Sequence, residues 1–334
     1  MKAAWYERQG PADQVLVVGE LPDPVPGPGE VRIVVHASGI NPGDVKKRGD
    51  AFGVGMPFPR VIPHSDGSGT IDATGEGVAE DRVGERVWCF GAQSYRPFGT
   101  AAEFVIVPEE NVASLPSSVG FDQGACLGIP GLTGHRAVHV AGPVEGRTVL
   151  VQGGAGSVGL AAVAVAKQSG ARVLAAVRRP ADETASRAAG ADVVVRTDGA
   201  SPDDVVARIL EASPGGVDHI VEVAFHANIR TDEKVLRQGG SIASYATGDA
   251  EPSVPFWNLV FKNVGLYFLG SDDFSMSAKR AAATQLTRIL EDDWAGYRIS
   301  GRFPLGGIVQ AHEVVERGGG GGRVVLDLSA GGAF

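Results

Sequence analysis

The segment VLVQGGAGSVGLAAVAVAKQSGARVLAAVRR (149–179) constrains the fold of this chain more than any other. It reads as a short apolar strand, a glycine-rich turn, an alanine-rich helix and a second apolar strand. Two parallel strands cannot be joined by a tight turn, and a helix that crosses the sheet is the usual connection between them. The segment therefore predicts a βαβ unit within a parallel β-sheet.

The same alternation continues beyond this segment, with further apolar runs at 192–195, 217–224 and 241–246. Repeated βαβ units predict a Rossmann-type, doubly wound parallel sheet with helices on both faces. By contrast, short β-branched runs bounded by Gly and Pro lie at 31–40, 86–90 and 101–108. We therefore expect an α/β protein with two domains: a discontinuous β-rich catalytic domain from 1–120 and 272–334, and a dinucleotide-binding domain from 121–271.

Charge and composition exclude several classes of partner. The 334 residues carry a formal net charge of −9, whereas nucleic-acid binding depends on a basic surface. The sequence has no apolar run of about 18 residues, the length that a membrane span requires, and its first ten residues lack the apolar core of a signal peptide. Cys89 and Cys126 are too few for a disulfide framework or a four-thiolate zinc site. We expect a cytoplasmic protein that binds neither nucleic acid nor membrane.

The glycine-rich turn is typical of a site for the pyrophosphate of a dinucleotide. Glycines let the backbone approach the phosphates, and the helix that follows offers free N–H groups and the positive end of its dipole. The candidate residues are Gly154, Ala155, Gly156, Ser157, Val158 and Gly159. The alternative is a glycine-rich turn that binds nothing, and the agreement of strand, turn and helix favours the ligand.

The end of the second strand indicates which dinucleotide is bound. NAD sites place an acidic residue there to bind the ribose 2′-hydroxyl. Here Arg178 and Arg179 follow the strand directly, no acid comes before Asp182, and Arg196 ends the next strand. Guanidinium groups bind a 2′-phosphate well and a carboxylate repels it, so the sequence favours NADPH. The alternative for one of the paired arginines is a solvated surface charge.

Together these motifs resemble the medium-chain dehydrogenases/reductases, and among them the zinc-free quinone oxidoreductases related to zeta-crystallin. The resemblance spans nearly the whole chain and rests on GINPGDVKKRG (39–49), IPHSDGSG (62–69), GLTGHRAV (131–138), QGGAGSVG (152–159) and GRVVLDL (322–328). It implies that the β-rich domain is GroES-like. It also implies a homodimer joined through the edge of the nucleotide-domain sheet, for which NVGLYFLGS (263–271) is the candidate strand, although a buried strand would have the same composition.

The resemblance also implies that no metal is bound. Zinc-dependent relatives use three ligands, and the matching positions here are Asn41, Ser65 (followed by Asp66) and Ile129. None of these positions carries the zinc ligand of the relatives. His64 falls one position early and has no Cys or His partner at ligand spacing, so we interpret it as a packing or substrate-edge residue.

The resemblance assigns further residues to the nicotinamide end of the site. The implied cofactor contacts are Asn41, Thr133, Asn228, Tyr245, Ala246, Thr247 and Leu269. The implied catalytic residues are Asn41, Thr133 and Lys46, where Lys46 replaces a tyrosine of many quinone reductases and could bind a developing enolate or donate a proton. The alternative for Lys46 is a basic surface turn with Asp44 as helix cap. Candidates for the pocket wall, with core packing as the alternative, are Phe52, Met56, Phe58 and Tyr95.

Two positions depart from the family pattern near the expected 2′-phosphate. Asp182 replaces a basic residue four positions after Arg178, and Thr197 replaces a tyrosine at the next strand end. The arginines could substitute for both lost contacts.

The sequence thus favours NADPH-dependent, metal-free hydride transfer to a quinone or an α,β-unsaturated carbonyl. Without a Lewis acid, reduction of a simple ketone loses its main stabiliser, whereas conjugate acceptors spread the developing charge onto an oxygen that hydrogen-bond donors can hold. Two alternatives remain: an alcohol or carbonyl dehydrogenase of the same superfamily, and a non-catalytic NADPH-binding protein with a redox-sensing or structural role.

Overall fold

The computed structural model describes residues 1–292 and 294–329, and these form two compact units. The first contains Met1–Ile129, Ser275–Glu291 and residues 296–329. The second contains Pro130–Phe274 and a few residues after Glu291. The predicted α/β fold, with a parallel-sheet domain and a separate β-rich domain, is confirmed.

The strands of the described chain are β1 (Lys2–Trp5), β2 (Val17–Glu20), β3 (Glu30–Ile40), β4 (Asp66–Thr74), β5 (Arg86–Cys89), β6 (Phe104–Pro108), β7 (Val112–Ser114), β8 (Thr148–Gln152), β9 (Arg172–Val177), β10 (Val193–Arg196), β11 (Val217–Glu222), β12 (Leu236–Ser244), β13 (Gly265–Phe268), β14 (Ile299–Pro304) and β15 (Arg323–Asp327). The α-helices are α1 (Ala12–Val15), α2 (Pro42–Arg48), α3 (Phe121–Gly124), α4 (Gly128–His139), α5 (Ser157–Gln168), α6 (Pro180–Ala188), α7 (Pro202–Ala212), α8 (Phe225–Val235), α9 (Phe256–Phe261), α10 (Met276–Glu291) and α11 (Ile308–Glu316).

The second unit is built on a six-stranded parallel sheet in the order β10-β9-β8-β11-β12-β13. Its central strands are apolar runs that are buried on both faces, as expected where crossover helices cover a parallel sheet. The core on one side joins Leu150, Leu174, Ile209 and Ile220. On helix α5, eight consecutive residues from Gly159 to Ala166 are buried, so this helix lies inside the unit and its N-terminus is fixed in position.

The first unit is built on a seven-stranded sheet in the order β14-β15-β3-β4-β5-β7, with β6 pairing to β3 as well. Strand β3 alternates buried and half-buried residues and then ends in four buried ones. The alternation places Val31, Ile33 and Val35 in a core with residues of β5 and β6. The buried end brings Ser38 and Ile40 to the interior of the unit, where the polar network described below begins.

The segment 121–129, predicted to open the nucleotide-binding domain, packs within the first unit. The Phe121 ring stacks on His36 with 4.3 Å between ring centroids. A Cβ atom on Gly39 would lie only 1.9 Å from the carbonyl oxygen of Ala125, so this stretch follows β3 closely. The chain passes into the second unit within helix α4, between Ile129 and Pro130.

None of the helices in the described chain combines the length and the apolar composition that a membrane span needs.

Candidate active site

The glycine-rich turn between β8 and α5 brings three backbone segments unusually close together. Gly153 has φ of 65°, a left-handed conformation that favours glycine. A Cβ atom on Gly154 would lie 2.7 Å from the Cβ of Ala175 in β9, and one on Gly159 would lie 2.2 Å from the carbonyl oxygen of Gly153. A side chain at either position would push the helix away from the sheet, so these glycines set the distance between α5 and the strand ends.

The N-terminus of α5 has the properties of an anion site. Gly156 precedes the helix and its own N–H donates to Gly153 at 2.9 Å, but no side chain caps the first turn. The N–H groups of Ser157, Val158 and Gly159 open the helix, where backbone donors have no intrahelical partner and the dipole is positive. Ala155, the residue before Gly156, is half-buried. These residues fit the pyrophosphate of a dinucleotide. The backbone N–H groups are free to bind phosphate oxygens, and the small residues leave the space that a larger side chain would fill.

The three candidate arginines differ in how they are paired. Arg179 forms a fork with Asp182, with 2.8 Å between Nη2 and Oδ1. Arg196 forms a fork with Asp198 and lies 3.2 Å from Glu183. The Arg179 guanidinium lowers the pKa of Asp182 and that of Arg196 lowers the pKa of Asp198.

Arg178 stands apart from the other two. It is exposed, and within residues 1–292 and 294–329 its side chain makes no hydrogen bond and no ion pair within 4 Å, although its charge also helps to lower the pKa of Asp182. A cation without a carboxylate partner can bind a phosphate without first breaking an ion pair. Of the three candidate arginines, Arg178 is therefore the one that can bind a 2′-phosphate without giving up an ion pair.

The other candidate cofactor residues of this unit lie at the carboxyl edge of the sheet. Tyr245 donates its N–H to the carbonyl of Glu222 at the end of β11, and Phe225 donates its N–H to Ala246. Leu269 follows β13 and donates to Ser244. Asn228 lies one turn into α8, half-buried, and Thr247 is exposed at the loop that follows β12. The sheet order reverses between β8 and β11, the place where open α/β sheets bind ligands.

Thr133 is buried on helix α4, next to a close contact between helices. A Cβ atom on the neighbouring Gly134 would lie 2.9 Å from the carbonyl oxygen of Val158. The His219 Nε2 also lies 2.6 Å from the carbonyl oxygen of Ala137. Helix α4 is thus held against the first turn of α5, and Thr133 lies close to the glycine-rich turn.

In the first unit, two of the three positions that match the zinc ligands of relatives, Asn41 and Ile129, join a buried hydrogen-bond network. The Asn41 Nδ2 donates to Asp66 Oδ2 at 2.7 Å, and the Ile129 N–H donates to the same oxygen at 2.8 Å. Arg323 Nη2 donates to Asn41 Oδ1 at 2.9 Å. Both ends of the Asn41 amide are therefore engaged. Ser65 is buried beside them. Within the described chain, no cluster of three or more His, Cys, Asp or Glu could hold a metal ion.

Asp66 is the titratable centre of this network. It is fully buried, and burial together with nearby Asp44 raises its pKa to about 7. The Arg323 guanidinium and the hydrogen bonds from Asn41 and Ile129 act in the opposite direction. Arg323 itself is buried next to the Cys126 thiol. The carboxyl is thus balanced between its neutral and ionised forms near neutral pH.

His64 belongs to the interior of the first unit. It adopts φ of 76° and is fully buried. Its Nδ1 lies 2.8 Å from Ser38 Oγ, and its Nε2 lies 2.8 Å from Nε2 of His312. Burial and the neighbouring His312 lower the pKa of His64 well below its usual value. This placement agrees with the packing interpretation of His64.

The remaining candidates separate into surface and core. Lys46 is exposed on α2, with Nζ 5.9 Å from the centroid of the Phe52 ring. Phe52 and Tyr95 are more than half exposed. Met56 and Phe58, by contrast, pack against the buried cluster that contains Tyr6, so for these two the structure supports the core-packing alternative.

Four polar residues at these sites were missed by sequence reasoning: Gln152, Glu222, Asp232 and Arg323. All four are buried. The signal that could have found Glu222 is a carboxylate directly after the apolar residues Ile220 and Val221 at the end of strand β11. Lys and Glu are almost never fully buried without a partner, so a charged residue closing an apolar strand indicates a polar site at the strand end.

Comparison with known proteins gives the following matches. The family model described as alcohol dehydrogenase GroES-like domain matches residues 27–117, and the one described as zinc-binding dehydrogenase matches residues 157–283. A quinone oxidoreductase of Mus musculus is 30% identical over 326 residues, which cover 97% of this chain and 96% of the relative.

Solved structures agree with these matches over the full length. A mycobacterial quinone oxidoreductase is 28% identical, with a TM-score of 0.85 over 98% of this chain and 100% of that chain. A mycobacterial protein solved in complex with NADPH is also 28% identical, with a TM-score of 0.82 over 98% of this chain and 100% of that chain.

The pKa of Asp66 predicts how stability depends on pH. The folded state keeps the proton up to about pH 7, whereas the unfolded carboxyl releases it near 3.8. Between these values the folded state binds more protons, so this group's contribution to the free energy of unfolding falls as pH rises and is constant above 7. Asp66→Asn has no such proton. Its stability relative to the wild type should rise by up to about 4 kcal/mol between pH 4 and 7, taking about 1.4 kcal/mol per pKa unit.

Urea unfolding at several pH values measures this difference. Glu211→Gln removes one negative charge from the surface, and its stability curve should run parallel to that of the wild type. A difference between Asp66→Asn and the wild type that stays constant from pH 4 to 7 would show that Asp66 is not the raised group.

Proposed function

The chain belongs to the medium-chain dehydrogenase/reductase family, and we propose that within it the protein is an NADPH-dependent, metal-free reductase of quinones or α,β-unsaturated carbonyls. Membership of this family makes the protein an oxidoreductase that uses a nicotinamide cofactor and a small-molecule substrate. The quinone acceptor is suggested by the activity named for the mouse and mycobacterial relatives.

The hydrogen bonds at both ends of the Asn41 amide are the observation that supports the metal-free proposal most directly. The amide is held by Asp66 at its nitrogen and by Arg323 at its oxygen, and an amide oxygen is in any case not one of the Cys, His or carboxylate ligands that zinc selects. Ser65 and Ile129, at the other two matching positions, offer a hydroxyl and an aliphatic side chain, which zinc does not select. The matched range of the zinc-binding dehydrogenase model, 157–283, contains none of these three positions.

The candidate site residues of the second unit bind and orient the cofactor in the proposed reaction. The bound dihydronicotinamide supplies the hydride. The N–H groups of Ser157, Val158 and Gly159 hold the pyrophosphate, and Arg178 binds the 2′-phosphate. Thr133 and Asn228 orient the nicotinamide end. In the first unit, Lys46 is the proposed donor to the oxygen on which negative charge develops, because an exposed ammonium can both stabilise that charge and deliver a proton.

Acceptor-dependent consumption of NADPH tests the proposal. The assay compares a small benzoquinone with a short acyclic enone, each with and without a strong chelator. We expect turnover of at least one acceptor that the chelator does not change. Loss of turnover with the chelator would contradict the metal-free mechanism and favour an alcohol or carbonyl dehydrogenase. Tight NADPH binding with neither acceptor reduced would favour a non-catalytic binding protein.

The choice between NADPH and NADH should depend mainly on Arg178. Arg178→Ala should raise the KM for NADPH by ~10-fold or more, the effect of losing one charged hydrogen bond. It should leave the KM for NADH nearly unchanged, because NADH has no 2′-phosphate. Arg179→Ala is the matched control and should have a smaller effect, since Asp182 already holds its guanidinium. Equal losses for both cofactors in Arg178→Ala would remove the basis for NADPH preference.

We also propose a homodimer joined along β13. This strand lies at the end of the sheet and offers its outer N–H and C=O groups. The adjacent surface is apolar: Trp257, Phe261 and Phe268 are each about two-thirds exposed or more. An apolar patch of this kind beside an open strand is typical of an interface.

Light scattering after gel filtration tests the dimer. The wild type should have twice the mass of the chain, and Phe261→Glu should shift it to the monomer because a charge would be buried in the interface. Val17→Glu, at an exposed apolar position of β2 in the first unit, should remain dimeric. A monomeric wild type at micromolar concentration would refute the proposal.

A further inference from the structure

Two buried carboxyl groups, Glu222 and Asp232, lie beside each other at the carboxyl edge of the second unit's sheet. Glu222 ends β11 and Asp232 lies on α8. Gln152 ends β8, the neighbouring strand, and its Nε2 donates to Asp232 Oδ1 at 2.8 Å. The pair therefore lies between β8 and β11, where the order of the sheet reverses.

The hydrogen bonds around the pair indicate its protonation state. Glu222 accepts from the Ala224 N–H and from Asn228 Nδ2, the latter at 3.0 Å to Oε1 and 3.2 Å to Oε2. Asp232 Oδ1 is occupied by Gln152, while Asp232 Oδ2 is buried and has no donor among the described residues. An ionised carboxylate can only accept. A proton on Asp232 Oδ2, donated to Glu222, satisfies the one unpartnered oxygen and removes one of two adjacent like charges.

Among the residues that the structure describes, no cation lies beside the pair. Besides each other, the two carboxyls contact amides and backbone N–H groups, and among the described residues the other titratable group that faces them is Tyr245, directly after β12. Burial and the neighbouring Glu222 raise the pKa of Asp232 well above its usual range, and burial also raises the pKa of Glu222. Since two such carboxyls titrate as one unit, the first proton is bound by the pair as a whole.

We propose that Glu222 and Asp232 share a single proton and act as positioning residues for Asn228. With the proton on Asp232, the ionised Glu222 can accept only from the Nδ2 of Asn228. The planar amide then directs its oxygen away from the pair, as a hydrogen-bond acceptor for a hydroxyl or amide donor of the nicotinamide cofactor. If Glu222 were protonated, it could donate to that oxygen and the amide could turn over. The assignment of the Asn228 oxygen to cofactor binding rests on the proposed function.

Infrared difference spectra of the protein without cofactor test the shared proton. In addition to the band of Asp66, which Asp66→Asn removes, the wild type should show the C=O stretch of a protonated carboxyl at neutral pH, shifted in deuterated water. Either Asp232→Asn or Glu222→Gln should abolish it, because the remaining carboxyl then ionises and accepts from the new amide. Persistence of the band in Glu222→Gln would show an independent protonated Asp232 and overturn the shared proton, as would the absence of the band in the wild type.

Binding of NADPH, followed by its fluorescence, tests the positioning. Asp232→Asn places an amide that donates to Glu222 and accepts from Gln152, so it mimics the protonated acid and should bind within ~2-fold of the wild type. It should also keep its affinity at high pH, where the wild-type pair loses its proton, the two carboxylates repel each other and Glu222 no longer holds the amide of Asn228 in place. Asn228→Leu has a similar shape without the acceptor and should bind ~10-fold more weakly, as expected for one lost hydrogen bond in a buried site.

Asn258→Leu is the matched control, because the Asn258 Nδ2 also donates to a glutamate, Glu233, but lies on α9. Its affinity should equal that of the wild type. Wild-type affinity in Asn228→Leu would overturn the acceptor role. If the wild type binds neither NADPH nor NADH, the proposed function is wrong, and so is the role of Asn228. The infrared spectra test the shared proton independently, because they are recorded without cofactor.

Discussion

The approach of Gly159 to the carbonyl oxygen of Gly153 is the contact on which the nucleotide-binding unit depends. At the 2.2 Å that a Cβ would have to that oxygen, only glycine lets α5 begin directly behind the end of β8. The buried alanines and valines of α5 then hold the helix in place, and Gly134 lets α4 pack against its first turn. Because the helix N-terminus cannot move, its free N–H groups form a fixed anion site at the edge of the sheet.

This part of the molecule could be predicted from sequence because its interactions are local. The strand, turn and helix of the βαβ unit follow one another in the chain, and each has its own pattern of residue types. The arginines after β9 were found for the same reason. What the sequence did not reveal is which of them is available: Asp182 and Asp198 lie only three and two residues from their partners, yet the pairing depends on side-chain geometry.

The histidine-containing segment IPHSDGSG shows the opposite case. Its residue types suggest a metal site, but its meaning depends on partners far along the chain. His64 meets His312 at a separation of 248 residues, and Asn41, which binds Asp66, meets Arg323 at a separation of 282 residues. No local pattern encodes such pairs. The resemblance to a family could name the matching positions, but only the fold shows that the Asn41 amide is occupied at both ends.

The buried acids of the two units illustrate how the same physical cost is met in different ways. Asp66 is fully buried beside the Arg323 guanidinium, and the opposing effects of burial and of this cation leave its pKa at about 7. Asp232 is equally buried, but its neighbours are a second carboxyl and neutral amides. Two adjacent buried carboxylates with no cation beside them repel each other, so neutralising one of them with a proton costs less than ionising both. A proton then does for the carboxyl pair part of what Arg323 does for Asp66. Both arrangements titrate, but only in the nucleotide unit is the protonated group linked to a proposed cofactor contact, because Glu222 accepts from the amide of Asn228.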